Sequence, residues 1–362
     1  MQKENIPYQD EKKEEAILQT IRFNKIIIPI LIGVFTVVYL VWKQVNLQEL
    51  KNISWDESTL FWIGVAILCL FIHHLSYSYR IYSLSDGGFS FKKCIELIFI
   101  WEFSSAVSPT SVGGSAVAFY MLAKENLSFA KTATIVLYTI VLDGLFFLIS
   151  IPVLFLIFGG IMIRPNISGF SDLGGWGNYF IFSYIFMFCY TLLFFFGLFL
   201  RPVKMKDLLL SLTRFSLTKK WKSTAENVGN EIIVASQELK VMPFSWHFRA
   251  LIATIGAWST RFLLLLALIL AFNPQISHQV KDLVQLFARL ESMFLITLFS
   301  PTPGGAGFVE VLFGGFLNDY IPSTTIATLT ATIWRILGYY IYLFIGAIIV
   351  PNWIRKKVLN KK

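Results

Sequence analysis

Six apolar runs, each near or beyond the length that crosses a bilayer, constrain this chain more than any other feature. They are 25–42, 60–79, 131–158, 179–200, 249–272 and 325–350. A helix needs about 20 apolar residues to traverse the hydrocarbon layer. Within that layer backbone N–H and C=O groups must be satisfied by the protein itself, which a helix does along its own length. The sequence therefore predicts an all-α polytopic membrane protein. Composition agrees: 56% of the 362 residues are hydrophobic and 15% charged, against about 25% charged in ordinary soluble domains.

The net charge is +9. A basic chain can bind nucleic acid, but here Lys and Arg sit between apolar runs, and no separate basic module exists to hold a polynucleotide. Their distribution instead sets orientation, because Lys/Arg-rich loops stay in the cytoplasm. The rich segments are the N-terminal tail, 80–93 (Arg80, Lys92, Lys93), the connector 201–249 with nine, and the C-terminal IRKKVLNKK. The poor segments are 43–59, 159–178 and 273–282. One pattern satisfies all of them: both termini cytoplasmic, six full crossings, and two further segments that leave and return on one side. The first 24 residues lack a short apolar core with a cleavage site, so the run from Lys25 is read as a retained helix. Cys69, Cys94 and Cys189 show no paired spacing, so neither a disulfide framework nor a metal site is expected.

The two returning segments are apolar but broken by Pro and Gly. The first, 94–122, contains Ser108-Pro109-Thr110 followed by Gly113-Gly114; the second, 283–319, contains Ser300-Pro301-Thr302 followed by Gly304-Gly305. Such clusters interrupt helices. At membrane depth the freed backbone groups are tolerated only where protein or a watery cavity meets them. Ser108 to Asp143 is 35 residues, and Ser300 to Arg335 is also 35. With the charge-based orientation, the halves 60–158 and 249–350 run in opposite senses, an inverted-topology repeat. Transporters of that build place substrate near the midplane between discontinuous helices. The chain thus divides into a cytoplasmic tail (1–24), a first membrane half (25–200), a cytoplasmic connector (201–248) of one or two amphipathic helices, a second membrane half (249–351) and a basic cytoplasmic tail (352–362).

Ionisable side chains inside a membrane are costly and are candidate functional residues. Asp143 and Arg335 lie mid-span at equal spacing from the two breaks; they form either a gate and relay or a structural ion pair. Arg261 either binds a lipid phosphate or neutralises Glu102 or Glu310. Glu310 can equally be a first-turn carboxylate facing a positive helix end. Helices starting after Gly113-Gly114 and after Gly304-Gly305 would aim unpaired N–H groups at an anion, with Gly307 in the same loop. Ser108, Thr110 and Thr302 would add hydroxyl donors. The same glycines also fit plain tight packing. His73 and His74, being adjacent, diverge by about 100° on a helix and make no metal site together. Arg289 and Glu291 flank Leu290 and are expected to pair with neighbours.

The stretch Pro301-x-Pro303-Gly304-Gly305-x-Gly307-x-x-Glu310, followed by a span containing Arg335, resembles the lysylphosphatidylglycerol synthase transmembrane-region family, also called flippase-like domain proteins. The resemblance covers roughly 20–350. It implies a membrane domain that moves a phospholipid between leaflets, here without the synthase domain that some members carry. In the first half members often read Gly-Glu-x-x-Arg-x-Tyr; this chain has Gly114, Ser115, Ala118 and Tyr120. The family's Asp fits Asp143, while the Glu-Arg pair usual before it is Thr139-Ile140 here.

The expected function is a flippase-like transporter of a phospholipid or polyprenyl-phosphate-linked anion across the cytoplasmic membrane. No GxxxxGK[ST] loop is present, so no ATP hydrolysis, cofactor or metal is expected. Its partners are membrane lipids, and the sequence does not fix an oligomeric state. Two other readings stand: an intramembrane lipid-phosphate transferase with Glu102 or Glu310 as base and Arg261 or Arg335 as clamp, and a scaffold that transports nothing. No catalytic signature is found for the former.

Overall fold

The computed structural model describes residues 45–51, 53, 55–107, 111–164, 174–215, 218–297 and 308–359, with isolated positions between 35 and 43. Among the described residues the fold is entirely helical. The predicted run 25–42 falls almost wholly outside them. Five helical stretches are long and apolar enough to cross a membrane: Glu57–Ser85, Phe129–Met162, Gly174–Leu200, Phe244–Phe272 and Thr324–Lys357. They coincide with the other five apolar runs.

After a short α1 (Leu47–Lys51), α2 spans Glu57–Ser85. Asp56 caps its start, accepting the Thr59 N–H at 2.9 Å. Asp86 and Gly87 end it with φ of 49° and 82°, the left-handed turn that stops a helix. Arg80 therefore lies inside this helix and is buried, not in a loop as charge counting had it. Helix α2 packs antiparallel against α9 (Phe244–Phe272). The Thr59 hydroxyl donates to Ala271 O at 3.2 Å, and His73 Nδ1 bonds Ala257 O at 2.8 Å.

The first broken segment forms α3 (Phe91–Val107) and α4 (Ser111–Lys124). Helix α4 starts before the glycine pair, so Gly113 and Gly114 lie in its first turn rather than ahead of it. The reason is packing: a Cβ on Gly114 would lie 2.9 Å from Ser105 Cβ and 3.0 Å from its Cα. Glycine costs a helix about 1 kcal/mol relative to alanine, and here it lets α3 and α4 touch. The second broken segment forms α10 (Val280–Ile296) and α11 (Phe308–Phe316). The breaks, 108–110 and 298–307, lie outside the described residues, and with them Ser108, Thr110, Thr302, Gly304, Gly305 and Gly307. The side chain of Glu310 is likewise outside.

Between these segments run α5 (Phe129–Phe158), α6 (Gly174–Phe195), and the connector helices α7 (Pro202–Leu212) and α8 (Lys222–Val241). The last span is α12 (Thr324–Arg335), a π-helical turn (Ile336–Tyr340) and α13 (Ile341–Ile354).

Polar contacts mark the two ends of the bundle. The outer ends of α3 and α4 meet at Glu125, which takes Lys93 at 2.7 Å, Lys357 at 2.9 Å and Trp353 Nε1 at 2.6 Å. Burial works against ionisation of Glu125, but these hydrogen bonds win and hold its carboxyl below the usual carboxylate range. The connector helices sit at this end, with Lys131 of α5 at 3.2 Å from Glu238 of α8. The arms of the second broken segment meet elsewhere: Arg289 donates to Phe316 O at 2.8 Å and to Asp319 at 3.2 Å, and Gln285 donates to Tyr320.

Candidate functional site

The cluster starts from Asp143, in the middle of α5. Its carboxylate faces α2 and α9. Arg80 of α2 grips it with two nitrogens, at 2.5 Å and 3.4 Å. Trp258 of α9 donates its indole N–H to the same carboxylate at 2.9 Å. Arg80 also donates to Thr254 of α9 at 3.2 Å and lies 4.6 Å from the centre of the Tyr77 ring. The Arg80 side chain is 6% exposed, whereas that of Asp143 is 27% exposed. The carboxylate thus borders accessible space while its cation is sealed behind it.

One turn beyond Trp258 on α9 stands Arg261. Its guanidinium lies 5.6 Å from the Trp258 ring and 5.1 Å from the Phe294 ring of α10. Cations are attracted to such aromatic faces. Among the described residues Arg261 has neither a hydrogen bond nor an ion pair. Glu102 of α3, five residues before the end of that helix, lies within electrostatic range of Arg261, Arg80 and Asp143. It too lacks a hydrogen-bond partner among the described residues. Three sequence-predicted residues, Asp143, Arg261 and Glu102, are therefore brought together from α5, α9 and α3. Arg80 is the fourth member, overlooked because it was counted among loop charges. The helix stop at Asp86-Gly87-Gly88 was the signal that would have put it inside α2.

Arg335 stands apart from this cluster. It is buried at the end of α12, 5.5 Å from the Tyr339 ring. Asp143 pairs with Arg80, not with Arg335. Tyr339 in turn donates its hydroxyl to Ala106 O at 3.1 Å, in the last turn before the first break. The π-helical turn that carries Tyr339 directly follows Arg335; such turns are frequent at functional positions. His73 and His74 are both buried, and His74 Nδ1 lies 3.3 Å from the Tyr342 hydroxyl. No group of metal-ligating side chains is found among the described residues.

Residues 26–346 match the family described as the lysylphosphatidylglycerol synthase TM region. The chain belongs to that family. A relative, a UPF0104 membrane protein of Archaeoglobus fulgidus, is 26% identical over 265 residues, which is 72% of this chain and 76% of the relative. No solved structure matches the chain. In this member of the lysylphosphatidylglycerol synthase TM-region family, Ala118 is wholly buried at 0% exposure and Thr139 at 4%. The first half instead draws its intramembrane charge from Arg80, Glu102 and Asp143.

Proposed function

We propose that this protein is a flippase-like transporter that moves a phospholipid or polyprenyl-phosphate-linked anion across the cytoplasmic membrane without hydrolysing ATP. The observation that carries this reading is Arg261: a half-buried guanidinium on a membrane span, seated between two aromatic rings, without a hydrogen bond or ion pair among the described residues. An intramembrane cation of that kind calls for an anion. Beside it the Arg80–Asp143 pair offers a second guanidinium whose partner carboxylate is partly open. A phosphate arriving at Arg261 competes with Asp143 and Glu102 for the two arginines, so binding and release trade one ion pair for another.

The architecture supports the same reading. The arms of α3–α4 close at the Glu125 end and those of α10–α11 close around Arg289 and Asp319. We read these as opposed re-entrant hairpins of an inverted repeat, with both termini and the connector on the cytoplasmic side. The 1–24 tail, the two membrane halves 25–200 and 249–351, the 201–248 connector and the 352–362 tail then follow as first divided.

The test is purified protein in liposomes carrying a trace fluorescent phospholipid, with quencher added outside. Anionic and neutral head groups are compared. Anionic lipid is expected to exchange between leaflets faster than in protein-free liposomes. Arg261→Gln is expected to slow it by about tenfold, equivalent to ~1.4 kcal/mol at the barrier. Exchange no faster than in empty liposomes, for every head group tried, sinks the reading.

A further inference from the structure

A second carboxyl, Glu291 of α10, is buried as deeply as any group in the molecule, at 0% exposure. Its Oε1 meets the Ser150 hydroxyl of α5. Its Oε2 has no hydrogen-bond partner among the described residues. Ser150 has one hydroxyl hydrogen, and its oxygen also lies 2.7 Å from the carbonyl of Phe146, one turn back on its own helix. A carbonyl can only accept, so an ionised Glu291 and Phe146 O would have to share that one hydrogen. A protonated Glu291 removes that competition: its own O–H donates into a lone pair of Ser150 Oγ while the Ser150 hydrogen stays on Phe146 O.

The surroundings point the same way. On α5, Asp143 lies two turns away and is taken by Arg80. On α9, Arg261 sits against Phe294. On α6, Tyr184 donates to Leu148 O at 3.5 Å. Past α5, Arg164 donates to Gly315 O at 3.0 Å. On α10 itself, Arg289 turns to Phe316 O and Asp319. On α11, Glu310 has no described side chain. Among the described residues no cation lies within 4.0 Å of Glu291, and a buried carboxylate without a counter-ion is costly.

We infer that Glu291 is a proton-binding site of the transport cycle: it holds a proton in this conformation, and giving it up to water is coupled to the parting of α10 from α5. The inference rests on the transport reading above and supplies its coupling ion. The link to the anion site is direct. Phe294, three residues after Glu291, is one wall of the Arg261 seat and stacks on Phe147 of α5 at 6.1 Å and 8°. Phe147 in turn lies three residues before Ser150. A shift of α10 that frees Glu291 moves that wall as well, so proton occupancy and anion occupancy are read by one interface.

The experiment is infrared spectroscopy of wild-type protein and Glu291→Gln in liposomes at neutral pH, with lipid exchange measured on the same samples over a range of pH. A protonated-carboxyl C=O band present in wild type and missing from the variant is expected, with wild-type exchange that varies with pH and variant exchange that is slowed and no longer does. Glu291→Asp should retain the band, which guards against misfolding of the amide variant. Equal bands in wild type and Glu291→Gln overturn the inference whatever the transport result. The band together with wild-type exchange indifferent to pH overturns the coupling. Absent exchange in wild type overturns the transport reading and the coupling with it, while the band still reports the bound proton.

Discussion

Replacing Asp143 by Asn removes one charge and almost no volume, and the structure fixes what should follow. The carboxylate takes two nitrogens of Arg80 and the indole N–H of Trp258. The amide oxygen of Asn keeps the Trp258 bond. What is lost is the counter-charge of a guanidinium that is 6% exposed. Stranding one member of a buried pair costs about 3–5 kcal/mol. Because the Asp143 side chain is 27% exposed, part of the pair is already wet, and the lower end, about 3 kcal/mol, applies. At roughly 2 °C per kcal/mol for a chain of this size, thermal unfolding in detergent followed by tryptophan fluorescence should drop by about 6 °C. Arg80→Gln should cost a similar amount. The double variant Arg80→Gln/Asp143→Asn should recover about 2 kcal/mol of the summed loss, the signature of direct coupling. Asp143→Asn with Arg335→Gln should instead be additive to about 0.5 kcal/mol, since those side chains do not pair. Strong coupling between Asp143 and Arg335, or single-site shifts below about 1 °C, would refute the reasoning. Lipid exchange by the Asp143 variant separates a transporter from a scaffold, for which the charge would be dispensable.

Two shorter predictions test the first broken segment. Gly114→Ala should destabilise by about 1–3 kcal/mol, because its Cβ meets Ser105 of α3. Gly64→Ala on α2, with nothing within 4 Å, should be neutral or stabilising in the same unfolding assay. Glu125 should make the protein acid-sensitive. Its folded-state carboxyl is held below the ordinary value of 4.5, so its contribution is complete above that value and is lost as pH falls through the lower, folded one. Thermal stability should fall on acidification below about pH 4, and Glu125→Gln should remove that component; an unchanged acid profile in the variant would exclude the clamp.

The long spans were legible because apolar length is a local property that one stretch of chain carries by itself. Pro109 and Pro301 with their glycines carry the predicted breaks, which lie outside the described residues. Partners were not legible, because pairing is decided by where helices cross. Asp143 was visible as a mid-span charge, but nothing in its own neighbourhood says that Arg80, 63 residues earlier, reaches it. The 35-residue spacing to Asp143 and Arg335 left a direct pair open beside a gate and relay; equal spacing equates positions within two units and does not make them meet. Gly114 was open to two readings, and its closeness to Ser105 favours packing. The seat of Arg261 uses Trp258 from its own helix, which the i, i+3 spacing allows, and Phe294 from another, which no local pattern announces.

The unequal treatment of the two arginines bears most directly on function. Each ionisable group placed in a membrane span costs about 2.5–3.5 kcal/mol on insertion scales. Arg80 recovers much of that from Asp143, yet a matched buried pair is seldom more stable than well-packed apolar residues. Among the described residues Arg261 gains contact with two rings, about 0.5–2 kcal/mol each. Glu102 lies near enough to feel it, but among the described residues no hydrogen bond joins them. Among the described residues, then, neither Arg261 nor Glu102 gains a hydrogen bond or an ion pair to offset that cost. On the transport reading proposed above, the missing charge comes from outside the chain. An anionic head group would do so at Arg261, and it would leave again as Glu102 and Asp143 reclaimed the guanidinium groups. A site that is under-satisfied when empty binds, and one with competing carboxylates in reach releases; a transporter needs both.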